Sequence, residues 1–248
     1  IGSLTMHVLI LGGNSDVGAA IAAVFARKQG AFITLASRNM ELGAKKAKDI
    51  TVRYQVEARA VSFDALDYDS HVDFVVGLES PPDVVVAAFG YLGDQELAQQ
   101  DFQEARRIIE TNYLGAVSIL EILARDMEQR GRGTIIGLGS VAGLRGRQSN
   151  YIYGSAKGGF LVYLSGLRNR LHKAGVQVLT VLPGFVATKM TEHLDLPPKL
   201  TATPEQVARD VYSAFRFKRN VIYTRWPWRW IMTVIRSIPE FLFKRTDI

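Results

Sequence analysis

No cysteine occurs among the 248 residues, which excludes disulfide frameworks, thiolate metal sites and cysteine nucleophiles together. Histidine is sparse, and His7, His71, His172 and His193 show no paired spacing that suggests a metal, so no metal centre is expected. Ile1 to Thr5 lack the charged, apolar and small-residue regions of a signal peptide and read as a cloning remnant ahead of Met6. No apolar run is long enough to cross a bilayer, and repeats, low-complexity tracts and linkers are missing. The first 215 residues are balanced in charge. The whole net charge of +6 falls between Arg216 and Ile248, where eight basic residues face Glu240 and Asp247. A nucleic-acid footprint over the body of the protein is thereby excluded.

What is present is a pattern. Seven apolar runs, at 7–12, 32–37, 58–63, 83–90, 133–140, 176–184 and 220–224, alternate with helix-length segments such as 16–30 and 39–50. Near-continuous apolar runs suit strands buried on both faces, and helix-length connections make them parallel. The prediction is an α/β fold: a single doubly wound Rossmann domain over 1–248, with a seven-stranded parallel sheet and helices on both faces. Residues 225–248 read as an apolar and basic C-terminal extension. Ligands of such sheets sit beyond the carboxyl ends of the strands, so the strand-to-helix loops are where chemistry is sought.

The first such loop is LGGNSDVGAA. Gly12 and Gly13 permit a tight turn and a close approach to phosphate, Gly18 lets the helix pack on the strand, and the helix N-terminus offers N–H groups to an anion. At the end of the second run, where an acid would bond the 2′-hydroxyl of NAD, stand Ser37 and Arg38. A hydroxyl and a guanidinium suit a 2′-phosphate, so NADP is the expected cofactor and NAD the alternative.

Tyr153 and Lys157 lie four apart on one helical face, 13 residues beyond Ser140. Reducing a ketone by hydride transfer needs a proton for the developing alkoxide. A phenol gives it best when a nearby ammonium lowers its pKa; about three units would correspond to roughly 4 kcal/mol. The Ser140 hydroxyl can hold and polarise the carbonyl oxygen.

With LGGNSDVG, Asn112 in ETNYLG, Ser140 in GLGSVAG, Tyr153/Lys157 and PGFVAT in order, nearly the whole chain resembles the short-chain dehydrogenase/reductase family. The resemblance implies a catalytic tetrad of Asn112, Ser140, Tyr153 and Lys157. In it Tyr153 is the acid/base, Lys157 lowers its pKa and holds the nicotinamide ribose, Ser140 orients the substrate, and Asn112 supports a water-mediated proton relay. It also implies a dinucleotide site. That site begins with Gly12, Asn14, Ser15, Asp16, Val17 and Gly18, and continues through Ser37, Arg38, Asp64 and Ala65 at the adenine end. Ala88 and Gly90 follow β-strand four, and Pro183, Gly184, Val186 and Thr188 form the nicotinamide loop. A homodimer or homotetramer on the long helices is a further implication of the resemblance. A cytoplasmic location is expected, with the inner-membrane surface as a variant.

Two departures stand out. Asp16 replaces a family glycine near the pyrophosphate, where it is expected to cap the helix while its charge opposes phosphate. AAFG (87–90) replaces Asn-Asn-Ala-Gly and loses side-chain bonds that brace the strand ends. FDALDYDSH, AFGYLGD and IRSIPEFLFKR also resemble bacterial reductases of decaprenylphosphoryl-2-keto-pentoses, which implies a polyprenyl-phosphate-linked keto-sugar as substrate. The alternative to an enzyme is a catalytically silent NADP-binding sensor or scaffold.

The extension, TRWPWRWIMTVIRSIPEFLFKR, holds all three tryptophans. Trp230, Ile231, Val234, Ile235 and Ile238 recur at helical spacing as one expected apolar stripe. Three uses stay open: a lid over the substrate, a subunit contact, and a helix lying in a membrane interface. Phe160 and Tyr163 read as core or subunit contacts.

Overall fold

The apolar runs become strands because their side chains find helices on both sides of the sheet. The computed structural model describes residues 5–192 and 195–246; Ile1 to Leu4, His193 and Asp247, each read above, lie outside the described residues. In chain order the elements are β1 (His7–Leu11), α1 (Asp16–Gln29), β2 (Phe32–Ser37), α2 (Met40–Tyr54), β3 (Ala58–Ser62), α3 (His71–Val76) and β4 (Val84–Ala87). Then come α4 (Gln95–Gln100), α5 (Phe102–Ile109), α6 (Gly115–Arg130), β5 (Thr134–Leu138), α7 (Tyr151–Leu171), β6 (Gln177–Pro183), β7 (Phe185–Val186) and β8 (Thr201–Ala202). The chain closes with α8 (Pro204–Arg216), β9 (Val221–Thr224), α9 (Pro227–Ser237) and α10 (Glu240–Phe243).

Seven strands form one parallel sheet in the order β3-β2-β1-β4-β5-β6-β9, as the alternation predicts. The order reverses between β1 and β4, which opens the ligand crevice there. On one face Ile21, Phe25, Ile50 and Val211 of α1, α2 and α8 are buried; on the other, Ile119, Leu123, Phe160 and Leu164 of α6 and α7. The β7–β8 pair is separate and was not legible in runs of two residues.

Local chemistry sets the element ends that matter for the site. Ser15 caps α1 by accepting the Gly18 N–H, and Gly30 closes the helix in the left-handed region. Between α5 and α6, Glu110–Leu114 forms a π-helical turn, an irregularity that turns Asn112 inward and buries it.

The extension corrects its expected face. Trp228, Met232 and Ile235 are buried against Val141 and Leu182, whereas Trp230 and Val234 are 62% and 65% exposed. The helix starts at Pro227 and turns Trp228 onto the open flank of Gly184, where any Cβ would overlap the indole ring. The indole Nε1 donates to the Leu200 carbonyl at 2.9 Å. Arg145 fastens the far end. It donates to the carbonyls of Ile235 (3.1 Å), Arg236 (3.1 Å) and Ile238 (2.7 Å), pairs with Glu240, and lies 3.9 Å over the Phe243 ring. A cation at these free carbonyls complements the helix C-terminus. The extension is thus packed onto the loops that follow β5 and β6.

Candidate active site

The glycine loop turns sharply because Gly12 has φ +88°, and a Cβ there would stand 2.6 Å from the Phe89 nitrogen. Asn14 ties the loop to β2: its Nδ2 donates to Ser37 Oγ (2.7 Å) and to the Asn39 carbonyl (2.8 Å). Its Oδ1 is buried without a partner. Lys46 donates to the Asn14 carbonyl at 2.8 Å. Ser37 is buried with its hydroxyl already bonded to Asn14, which leaves exposed Arg38 as the free cation expected for a 2′-phosphate.

Asp16 does not cap α1. Ser15 already occupies that role, and Asp16 instead accepts the Lys189 N–H at 3.0 Å, pinning the loop after β7 across the glycine loop. Its charge also faces the Lys46 ammonium, whose pKa burial lowers while Asp16 pulls it back up. The expected opposition to phosphate is therefore moderated by a neighbouring cation.

Loops that follow the strands line one trough. A cavity of about 280 Å3 takes in Gly12, Asn14, Ser15, Ser37, Arg38, Asp64, Ala65, Ala88 and Gly90. A second of about 280 Å3 shares Asn14, Ser15, Ala88 and Gly90, and continues past Asp16, Val17, Ser140, Tyr153, Lys157, Pro183, Gly184, Val186 and Thr188. Asp64 Oδ1 accepts the Leu66 N–H at 3.0 Å, which fixes its loop. Gly18 is buried behind the trough, with the N–H that Ser15 accepts.

At the far end Ser140 follows β5 in extended backbone and accepts the Ala142 N–H at 3.1 Å. Tyr153 and Lys157 project from the first turns of α7. The Tyr153 hydroxyl bonds with Ser140; burial of the phenol pushes its pKa up to about 12, and the Ser140 bond pulls the other way. Burial pushes Lys157 down to about 8. Its Nζ donates to the Leu138 carbonyl at 3.0 Å and lies 5.8 Å from the centre of the Tyr153 ring. Desolvation thus shifts each group toward its neutral form.

Asn112 stands beside the trough: a Cβ at Gly90 would lie 2.9 Å from its Oδ1 and 3.6 Å from Lys157 Nζ. Its Nδ2 donates to the carbonyls of Tyr91 (2.6 Å) and Ile108 (2.8 Å), and its Oδ1 accepts the Tyr91 N–H at 3.2 Å. Those bonds brace the segment after β4, where AAFG lacks braces of its own.

A third cleft, of about 670 Å3, shares Ser140, Tyr153 and Gly184 with the trough. It is lined further by Leu92, Val141, Phe185 and Met190, and by Gln95, Arg147 and Asn150. Sequence reasoning missed these residues, and also Phe89 and Met190, which line both parts of the trough. The only signal was a polar stretch, Arg147 to Asn150, between Ser140 and Tyr153.

The donor set fits a dinucleotide. A capped helix N-terminus, the unpartnered Asn14 Oδ1 and the Arg38 guanidinium lie along a trough that ends at a phenol and an ammonium.

The profile of the short chain dehydrogenase family matches residues 6–198. An uncharacterized oxidoreductase of Mycobacterium tuberculosis (strain ATCC 25618 / H37Rv) is 38% identical over 241 residues, 96% of each chain. Another from Streptomyces coelicolor is 34% identical over 96% of this chain and 94% of its own. A solved short-chain dehydrogenase from Sphingobium yanoikuyae, in complex with NADPH, shares the fold with TM-score 0.81 at 22% identity, over 95% of this chain and 97% of its own. The chain belongs to the short-chain dehydrogenase/reductase family of oxidoreductases.

Proposed function

We propose that the protein is an NADP(H)-dependent reductase or alcohol dehydrogenase that interconverts a ketone and a secondary alcohol. The observation that carries this reading is the meeting of trough and cleft at Ser140 and Tyr153. When bound, the dinucleotide supplies or accepts the hydride. Arg38 at the adenine end and the free Asn14 Oδ1 would hold it, and Lys157 would bond its ribose.

The chain's own residues handle the proton. Burial keeps the Tyr153 phenol protonated at neutral pH, so it is loaded as the acid that donates to the ketone oxygen. Ser140 donates to that same oxygen and stabilises the charge that develops there. A phenolate left by donation sits near Lys157, the more acidic group, so returning the proton to the phenol is downhill. Asn112 acts at a distance by holding Tyr91 and the end of β4.

The NADPH complex of the Sphingobium yanoikuyae neighbour and the absence of an acid at Arg38 support NADP over NAD. The apolar residues of the cleft support a large amphiphilic ketone, with a polyprenyl-phosphate-linked keto-sugar as the specific candidate. Phe102 and Val162, exposed at 72% and 74% on α5 and α7, support a homo-oligomer built on those helices. The outer side of α9 presents Trp226, Trp230 and Val234 beside Arg229 and Arg236, which supports peripheral contact with an anionic membrane. A ketone panel followed by NADPH and NADH absorbance tests the reading. Turnover of a ketone with NADPH is expected; cofactor binding without turnover on any ketone would favour the silent sensor.

A further inference from the structure

Asp16 belongs to two surfaces at once. On its inner side it lines the trough with Ser15, Val17, Thr188 and Lys189. On its outer side it lines a separate groove of about 580 Å3 between α1, α2 and α8, with Arg27, Lys46 and Arg209. Asp16 and its bond to the Lys189 N–H therefore form part of the wall between the two.

The segment that Asp16 holds is anchored at its start. Ala187 donates to the Ala202 carbonyl at 2.9 Å, which ties it to the β7–β8 pair. Beyond that point the chain folds on itself. The Thr191 N–H reaches the Thr188 carbonyl at 3.0 Å, and the Thr191 hydroxyl donates to the Val186 carbonyl. Residues 187–192 are thus a preformed turn. Among the described residues, its one hydrogen bond across to the glycine loop and α1 runs from the Lys189 N–H to Asp16 Oδ2, at 3.0 Å. That bond is exposed, so water replaces either partner at small cost and the turn can open and close again.

Charge keeps the acceptor in the wall. The Lys46 ammonium, bonded to the Asn14 carbonyl, faces Asp16. A pyrophosphate on the inner side repels the carboxylate, and the cation near Asp16 offsets that repulsion.

We infer that Asp16 is the clasp of a gate: its bond to Lys189 closes residues 187–192 over the nucleotide trough, and the dinucleotide enters and leaves when that bond opens. The inference rests on the dinucleotide reading of the trough. Asp16 is a positioning residue, acting on the cofactor through the turn it holds. A gate slows entry and exit alike and leaves affinity nearly unchanged, whereas a contact that only held the cofactor would slow exit alone.

Stopped-flow mixing of the full chain with NADPH, and displacement of NADPH by excess NADP, measure both rates through nicotinamide fluorescence. Asp16→Ala should raise the association and dissociation rates together by about fivefold, with affinity changed by less than about twofold, the scale of one exposed charge-assisted hydrogen bond. Asp16→Asn keeps an acceptor oxygen and should bring the dissociation rate back towards that of the parent. Hydrogen exchange at the Lys189 amide of the ligand-free chain reads the clasp itself, and should be slow in the parent and faster in Asp16→Ala. Unchanged rates in Asp16→Ala, a change in dissociation alone, Asp16→Asn releasing NADPH as fast as Asp16→Ala, or equal exchange at Lys189 in parent and Asp16→Ala would overturn the gate. A parent that binds no NADPH would overturn the dinucleotide reading and the gate together, and protection at Lys189 distinguishes that outcome from a failed clasp.

Discussion

Lys157 Nζ donates a hydrogen bond to the Leu138 carbonyl at 3.0 Å and stands 5.8 Å from the ring centre of Tyr153. Each member of the catalytic pair is shifted by its own burial toward its neutral form. This has a consequence for stability. Lys157 falls from 10.5 to about 8 on folding, so below pH 8 the native state carries a buried charge at full cost. Between pH 8 and 10.5 the unfolded chain binds more protons, and stability rises with pH. Lys157→Met should stabilise the ligand-free protein at pH 7 by as much as about 3 kcal/mol, with the gain shrinking towards pH 10. Thermal melts of both proteins across that range check the sign.

Asn112 is expected to behave as a structural brace. Asn112→Ala strands the Tyr91 N–H and two carbonyls, and should cost about 2 to 3 kcal/mol in urea unfolding. A proton relay through its amide would instead predict lost turnover with unchanged stability.

Arg38→Asp should weaken NADPH far more than NADH, because it exchanges the exposed guanidinium for the acid that suits a free 2′-hydroxyl. Dissociation constants of both nucleotides decide it, and an unchanged ratio removes Arg38 from the argument.

Vesicles containing phosphatidylserine should pellet the parent chain and release Arg229→Glu/Arg236→Glu, since both positions are exposed beside Trp230. Equal pelleting of the two proteins, or none, would count against membrane contact. Trp228, packed on Gly184, is unsuited to the same test because its removal would open the core.

The sheet was legible in the sequence because strands buried on both faces cannot hide. Every predicted run contains its strand, and the ends differ by three residues at most, where AAFG leaves the ladder at Ala87. Ser140, Tyr153 and Lys157 were legible for a related reason, since a loop after β5 and one turn of α7 suffice to bring them together. Electrostatics were not. The burial that shifts both Tyr153 and Lys157 toward their neutral forms is not expressed by spacing. Asp16 was misplaced because its partner, Lys189, lies 173 positions away. The stripe of α9 was misjudged because Trp and Ile recur on more than one face, and only the bare flank of Gly184 selects Trp228. Arg147 went unnoticed since a lone arginine in a polar loop carries no pattern.

The central claim is that the Tyr153 phenol is the acid and base of a ketone reaction. Single-turnover reduction by Tyr153→Phe, with the first ketone found active and with NADPH binding checked in parallel, measures it most directly. The account predicts a rate lower by about 1,000-fold, within the range expected for losing a positioned acid, and a nucleotide affinity close to the parent's. A variant that binds NADPH and reduces the ketone at the parent rate would contradict it.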